Sequence, residues 1–223
     1  MNKRTAKDLL YEQVARIGKA LSSPKRLELL EVLAQGEKTV EALAAELDID
    51  VRLASAHLKA LREARLVVAR RAGKYMIYRL SSGDVAGLWV KLREVAEAHL
   101  IELRVALQPI TADPQQLVSL DRAELLEQAR RGAIIVIDVR PQDEYQTAHL
   151  PYARSMPLAE IEQRFYELPR DREIVAYCRG PFCLLSEEAL QRLARRGFRV
   201  RKLSDGVSEW QAAGLPVERA AAA

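Results

Sequence analysis

Both cysteines of this 223-residue chain fall within one short stretch, Tyr177-Cys178-Arg179-Gly180-Pro181-Phe182-Cys183. A thiolate is a strong nucleophile, and forming one near neutral pH needs surroundings that favour negative charge. The flanking sequence supplies them. Ile174 to Tyr177 is an apolar run that reads as a buried strand, and Leu184 to Arg196 has the apolar spacing of a helix. Strand, tight Gly-Pro loop and helix together aim successive backbone N–H groups and a helix N-terminus at one anion. Cys178, at the start of the loop, reads as the nucleophile, and Cys183 as a second thiol that could resolve what Cys178 picks up. Arg179 is a candidate for attracting an anionic donor, with Gly180 and Phe182 completing the anion-holding loop.

A second constellation is basic. Residues 1–108 hold 19 Lys and Arg against 14 Asp and Glu, whereas the remainder holds 16 against 17, so the positive charge sits in the N-terminal half. Between Val51 and Arg79 there are eight basic residues and one acid, Glu63. Such density points to an anionic polymer as partner. Arg52, Ser55, Lys59 and Arg62 recur at three- and four-residue steps and share the outer face of one helix, with His57 beside them; Ala54, Leu58 and Leu61 form its inner face. Arg70, Arg71 and Lys74 cluster a little further on.

The elements that must carry these groups follow from the spacing of apolar and capping residues. Lys3 to Leu21 reads as a first helix. Ser23-Pro24 opens a second that Gly36 closes, and Thr39 caps a short third, Val40 to Leu47. Asp50 caps Val51 to Ala64. Leu66 to Ala69 and Tyr75 to Leu80 then alternate as two strands around the basic tip Arg70-Arg71-Ala72-Gly73-Lys74. Short helix, turn, basic-faced helix and hairpin is the order of a winged helix-turn-helix, which reads double-stranded DNA.

Thr39-Val40-Glu41-Ala42-Leu43-Ala44, the run Ser55-Ala56-His57-Leu58-Lys59-Ala60-Leu61, Leu66-Val67 and Arg79-Leu80 resemble the ArsR family of dimeric winged-helix repressors. The resemblance implies a homodimer joined through the first and last helices of the domain, bound to an inverted-repeat operator. It does not extend to metal sensing. The family's thiolate positions fall on Thr39 and Glu41, and the domain has no cysteine, so soft-metal binding there is excluded. His99 matches half of the family's zinc site, but its partners fall at Ala86 and Leu88, and no ligand set exists. Leu88, Leu92, Val95, His99 and Leu103 form one stripe of a last helix, Asp84 to Leu107, and read as dimer packing.

Gln108 to Pro114, with two prolines, reads as a linker. Beyond it, strands alternate with helices, which predicts an α/β domain with a mainly parallel sheet. The residues Asp138-Val139-Arg140, Glu144-Tyr145, His149-Leu150-Pro151 and the closing run Gly206 to Val217 resemble rhodanese-type sulfurtransferases. The six-residue active loop of that family is then Cys178 to Cys183. Related phosphatases close a longer loop with Arg where this chain has Leu184, which argues against a phosphate cradle. Two departures stand out: Cys183, where many rhodaneses carry a basic or hydroxylic residue, and Tyr152, usually Gly. Asp138, Arg140 and His149 read as a structural ion-pair and hydrogen-bond set.

The expected architecture is thus an α+β winged helix-turn-helix domain over residues 1–107, a linker over 108–116, and an α/β rhodanese-like domain over 117–223. With 49% hydrophobic and 30% charged residues the chain has the makings of ordinary folded cores. It shows no run of 18 apolar residues and no signal-peptide h-region, so a cytoplasmic protein without a membrane span is expected. Neither metal nor cofactor is called for. The expected function is that of a repressor that senses reactive sulfur or oxidant through Cys178 and Cys183. Two readings compete with it: a sulfurtransferase with a persulfide on Cys178, fed by thiosulfate or polysulfide, whose winged helix serves dimerisation or placement, against which the Arg52, Lys59, Arg70 and Arg71 face argues; and a regulator whose second domain is an inert interaction module, against which the two cysteines argue.

Overall fold

The computed structural model describes residues 2–108, the backbone of 117–118, and residues 121–220. Nearly all of the expected linker therefore lies outside the described residues. The chain forms two compact units, 1–89 and 90–223. The division falls inside a helix rather than after Leu107, where the sequence places the end of the winged-helix domain.

In the first unit the elements run α1 (Lys3–Leu21), α2 (Pro24–Ala34), β1 (Lys38–Thr39), α3 (Val40–Glu46), α4 (Val51–Glu63), β2 (Val67–Ala72), β3 (Tyr75–Leu80) and the start of α5 (Gly83–His99). Capping chemistry sets the helix starts. Thr39 Oγ1 accepts the Ala42 N–H at 3.2 Å, and Asp50 Oδ1 accepts that of Arg52 at 2.7 Å, each satisfying a donor the helix cannot pair internally. Ser23 differs: it stands at the N-cap of α2 but makes no side-chain capping bond, and Pro24 opens the helix by its fixed φ alone. Leu29, Leu30, Leu43, Ala54, Leu58 and Leu61 are buried in one core. The three strands pair antiparallel in the order β1-β3-β2, with Val67 opposite Leu80 and Ala72 opposite Tyr75.

The second unit continues through the rest of α5, α6 (Ile101–Leu107), β4 (Leu117–Val118), α7 (Arg122–Arg130), β5 (Ile134–Asp138), α8 (Gln142–Thr147), β6 (Arg154–Ser155), β7 (Glu173–Tyr177), α9 (Leu184–Arg195), β8 (Val200–Leu203) and α10 (Val207–Ala212). The sheet order is β4-β8-β7-β5-β6, with parallel pairing throughout. Alternation along the strands builds two cores, one on each face. Ile135, Ile137, Ile174 and Ala176 meet Ala189, Leu190 and Leu193 of α9, while Ile134, Val136, Val175 and Tyr177 meet Leu125 of α7 and Trp210 of α10.

One expected element is corrected. The single helix foreseen from Asp84 to Leu107 breaks at Leu100, whose backbone is extended (φ −98°, ψ 106°), and α6 starts afresh at Ile101. Neither Gly nor Pro marks that break in the sequence. Leu88, Leu92 and Val95 of the apolar stripe are exposed, as are Leu9, Leu10 and Val14 of α1. No described helix is long and apolar enough to cross a membrane.

Candidate functional site

Helix α4 presents its basic face as the sequence foresees. Arg52, Ser55, Lys59 and Arg62 are exposed, and Ala54, Leu58 and Leu61 are completely buried behind them. Lys59 stands 3.9 Å from Glu63 one turn on, an exposed pair worth little. His57 is only half-buried; partial burial and the nearby Arg26 charge hold its imidazolium form down, so it is a neutral ring at pH 7 in the absence of a phosphate.

The hairpin is longer than expected, and this changes its tip. Its strands run through Ala72 and from Tyr75, so Arg70 and Arg71 lie on β2 and only Gly73-Lys74 turn, with Gly73 at φ +61°. Arg71 Nε donates to the Gly73 carbonyl at 3.0 Å, and Lys74 Nζ stands 5.1 Å from the centre of the Tyr75 ring. Arg70 is paired with Glu37, which offsets its charge; the bond to that carboxylate raises its pKa further. Of the three cations foreseen at the tip, Arg71 and Lys74 are therefore the better placed for a phosphate.

In the second unit the loop after β7 carries both cysteines at the C-terminal edge of a parallel sheet, the usual ligand position in such folds. Cys178 and Cys183 are joined by a disulfide, with Cα atoms 6.1 Å apart. Cys178 is 1% exposed and Cys183 8%. Cys183 is the N-cap of α9 and donates its own N–H to the Gly180 carbonyl at 3.1 Å. Its sulfur thus belongs to the residue at a helix N-terminus, where a thiolate is favoured. Gly180 is required twice over: φ is +140°, and a Cβ there would stand 3.1 Å from Arg93 Nη1 and 3.2 Å from Glu209 Oε1. Gly206 explains itself in the same way. A Cβ there would lie 2.6 Å from the Cys178 carbonyl oxygen, because the closing motif packs directly against the loop backbone.

Arg179 is not where the sequence expectation puts it. Its guanidinium is buried and clasped by Glu144, with Nη2–Oε1 at 2.6 Å and Nε–Oε2 at 2.9 Å. A two-point pair of this kind anchors the loop to α8 and leaves Arg179 poorly placed to attract a donor. Asp138, Arg140 and Tyr177 form a second buried set. Arg140 Nη2 donates to Asp138 Oδ2 at 2.6 Å and to the Ala148 carbonyl at 2.7 Å, and the Tyr177 hydroxyl donates to the same Asp138 oxygen at 2.6 Å. Burial and the Asp138 charge push the Tyr177 hydroxyl pKa well up, so it remains a donor. His149 Nδ1 meets the Tyr145 carbonyl at 2.8 Å, and its ring stacks on Tyr145 at 3.8 Å. These residues hold the sheet edge, as the structural reading has it. Tyr152 sits at φ +65°, which accounts for the glycine usual at that place in rhodaneses.

Glu209, Arg93 and Lys202 were not foreseen. Glu209 Oε2 accepts the Gly206 N–H at 2.6 Å, and Oε1 accepts from Arg93 Nη1 at 2.8 Å. The carboxylate three residues into a helix is a capping signal the sequence did carry; its pairing with Arg93, 116 positions away, left no trace in it.

Known proteins place both halves. Residues 23–68 match the model of the arsR family of bacterial regulatory proteins, and residues 121–213 match the rhodanese-like domain. Across 215 residues, 96% of this chain and 94% of the relative, the sequence is 43% identical to the HTH-type transcriptional regulator Rv0324 of Mycobacterium tuberculosis. The chain belongs to the ArsR family of transcriptional regulators. Its rhodanese-like half is also 33% identical to a protein named sulfurtransferase from Allochromatium vinosum, over 38% of this chain and 78% of that one. Among solved structures, a homodimeric winged helix-turn-helix DNA-binding domain from Mycobacterium bovis is 44% identical, covering 46% of this chain and 93% of that one, with a TM-score of 0.42. This ArsR-family regulator thus couples a winged helix-turn-helix to a rhodanese-like domain in which the paired cysteines are oxidised.

Proposed function

We propose that this regulator senses reactive sulfur or oxidant through Cys178 and Cys183 and answers with a change in operator affinity. The disulfide between them is the observation that carries the reading, since it makes the loop a two-electron couple. In the reduced protein the Cys178 thiolate attacks a sulfane sulfur of a polysulfide, forming Cys178–S–S⁻ while the shorter polysulfide departs with the electrons of the broken bond. The Cys183 thiolate, favoured by the start of α9, then attacks the inner sulfur on Cys178. Hydrosulfide leaves with the proton, and the disulfide remains. Two thiolates have lost two electrons, and one sulfane sulfur has gained them.

On the DNA side, two copies of the chain present two α4 helices to successive major grooves of an inverted repeat. Arg52 and Ser55 face base edges; Lys59, Arg62, Arg71 and Lys74 face phosphates, with His57 and Arg70 nearer the margin. The exposed leucines and valines of α1 and α5 are the apolar surface that dimerisation would bury. Modification weakens binding and releases the repressed gene in the cytoplasm. The test is a titration of full-length protein on its own promoter DNA, reduced and after polysulfide, with loading followed by mass spectrometry. An operator affinity that moves with loading supports the reading; equal affinities sink it.

A second reading is favoured by the likeness to the Allochromatium sulfurtransferase: Cys178 holds a persulfide and hands it to an acceptor. Thiosulfate or polysulfide turnover that survives Cys183→Ser, with operator affinity unmoved, would select it.

A further inference from the structure

Between Lys91 and His99 the last stretch of α5 exposes most of its side chains, and only Arg93 is buried. The guanidinium is 3% exposed and lies over the outer part of the disulfide loop. It stands 5.7 Å from the centre of the Phe182 ring, and its Nη1 would touch a Cβ at Gly180 at 3.1 Å. Glu209 holds it from the other side at 2.8 Å, while Glu97, one helical turn on, lies 3.0 Å from Nε. Glu209 is in turn tied to the Gly206 N–H, at the point where α10 meets the Cys178 carbonyl. Loop, α10 and α5 thus converge on a single ion pair.

We propose that Arg93 and Glu209 are the positioning residues through which the oxidation state of Cys178 and Cys183 is passed to α5. The proposal rests on the sensing reading above. Reduction by an added dithiol delivers two electrons to the S–S bond; each cysteine sulfur takes a proton, and the dithiol closes into its own disulfide. The freed sulfurs cannot stay at bonding distance and separate toward the roughly 3.5–4 Å contact of unbonded atoms. In a close-packed interior that displacement cannot be absorbed in place. The displacement falls on Gly180 to Phe182, the stretch between Arg179, clasped by Glu144, and Cys183, the cap of α9. Its movement strikes Arg93, loosens the pair with Glu209, and leaves the end of α5 without its buried anchor.

Hydrogen exchange followed by mass spectrometry on the full chain, in the disulfide form and after dithiothreitol, tests this directly. For the wild type, reduction should speed amide exchange across residues 90–99 by roughly 5- to 150-fold, the usual span of a coupling. Arg93→Met should exchange fast in both states, and Glu209→Gln, nearly isosteric and still able to cap Gly206, should do the same if Arg93→Met folds poorly. Arg93→Lys should restore part of the difference. Disulfide formation, read by mass, should persist in all three. Unchanged exchange at 90–99 in the wild type overturns the proposal, as does a difference that Arg93→Met and Glu209→Gln leave intact. A wild type that shows the exchange difference but binds operator equally in both states supports the link to α5 and fails the sensing reading alone.

Discussion

At the scale of single residues, the disulfide loop is held by buried ion pairs on either side of it. Arg179 looks from the sequence like a donor-attracting cation, yet it spends its charge on Glu144, 35 positions earlier. Removing one partner of a buried ion pair leaves the other uncompensated, at a cost of about 3–5 kcal/mol. Glu144→Ala should accordingly lower the stability of the second unit by about that amount, measured by denaturant unfolding; a change within experimental error would mean the pair contributes nothing net. Lys202 is the opposite case. Its side chain is buried, Nζ has no hydrogen-bond partner among the described residues, and burial lowers its pKa, with Glu187 opposing only in part. An unsatisfied buried donor costs about 1–3 kcal/mol, so Lys202→Met, similar in volume, should stabilise the protein and raise its melting temperature. The sign against pH follows. A folded-state pKa below the unfolded one penalises the protonated amine, so the native state loses stability as pH falls below about 10.4, the unfolded value, and Lys202→Met should flatten that alkaline slope.

Among the elements, the proposed function assigns base edges to α4 and phosphate contacts to the hairpin, so the two should respond differently to substitution. Neutralising a phosphate contact weakens binding to every sequence, so Arg71→Ala should reduce the salt slope by about one unit while leaving sequence preference alone. Arg52→Ala should instead relax preference at one position of each half-site, at about 1–3 kcal/mol of discrimination. Parallel competition assays against specific and random duplexes separate these outcomes, and a salt-insensitive association would contradict both. Element starts were largely legible in the sequence because caps are local: Thr39 and Asp50 bond to N–H groups three and two residues away, respectively. The strand alternation and the loop bracketed by cysteines were legible for the same reason. The break at Leu100, the pairing of Arg70 with Glu37, and the Arg93–Glu209 pair were not. The two ion pairs are decided by atoms that only the folded chain brings together, whereas nothing among the described residues explains the break at the exposed Leu100.

For the whole molecule, the central claim is that an oxidation state in one domain sets the DNA affinity of the other. A chemical change regulates only if its free energy differs between the DNA-competent and incompetent forms. Couplings of about 1–3 kcal/mol correspond to roughly 5- to 150-fold in affinity. Cys178→Ser, unable to take up sulfur, should bind DNA at the reduced protein's affinity and ignore polysulfide; Cys183→Ser should load sulfur and respond less. The most direct measurement is the dissociation constant of full-length wild type for its own promoter, fully reduced and then polysulfide-treated, at one fixed salt concentration. The account predicts a loss of affinity of roughly 5-fold or more that dithiothreitol reverses. Identical constants, with Cys178–Cys183 oxidation confirmed by mass, would contradict it.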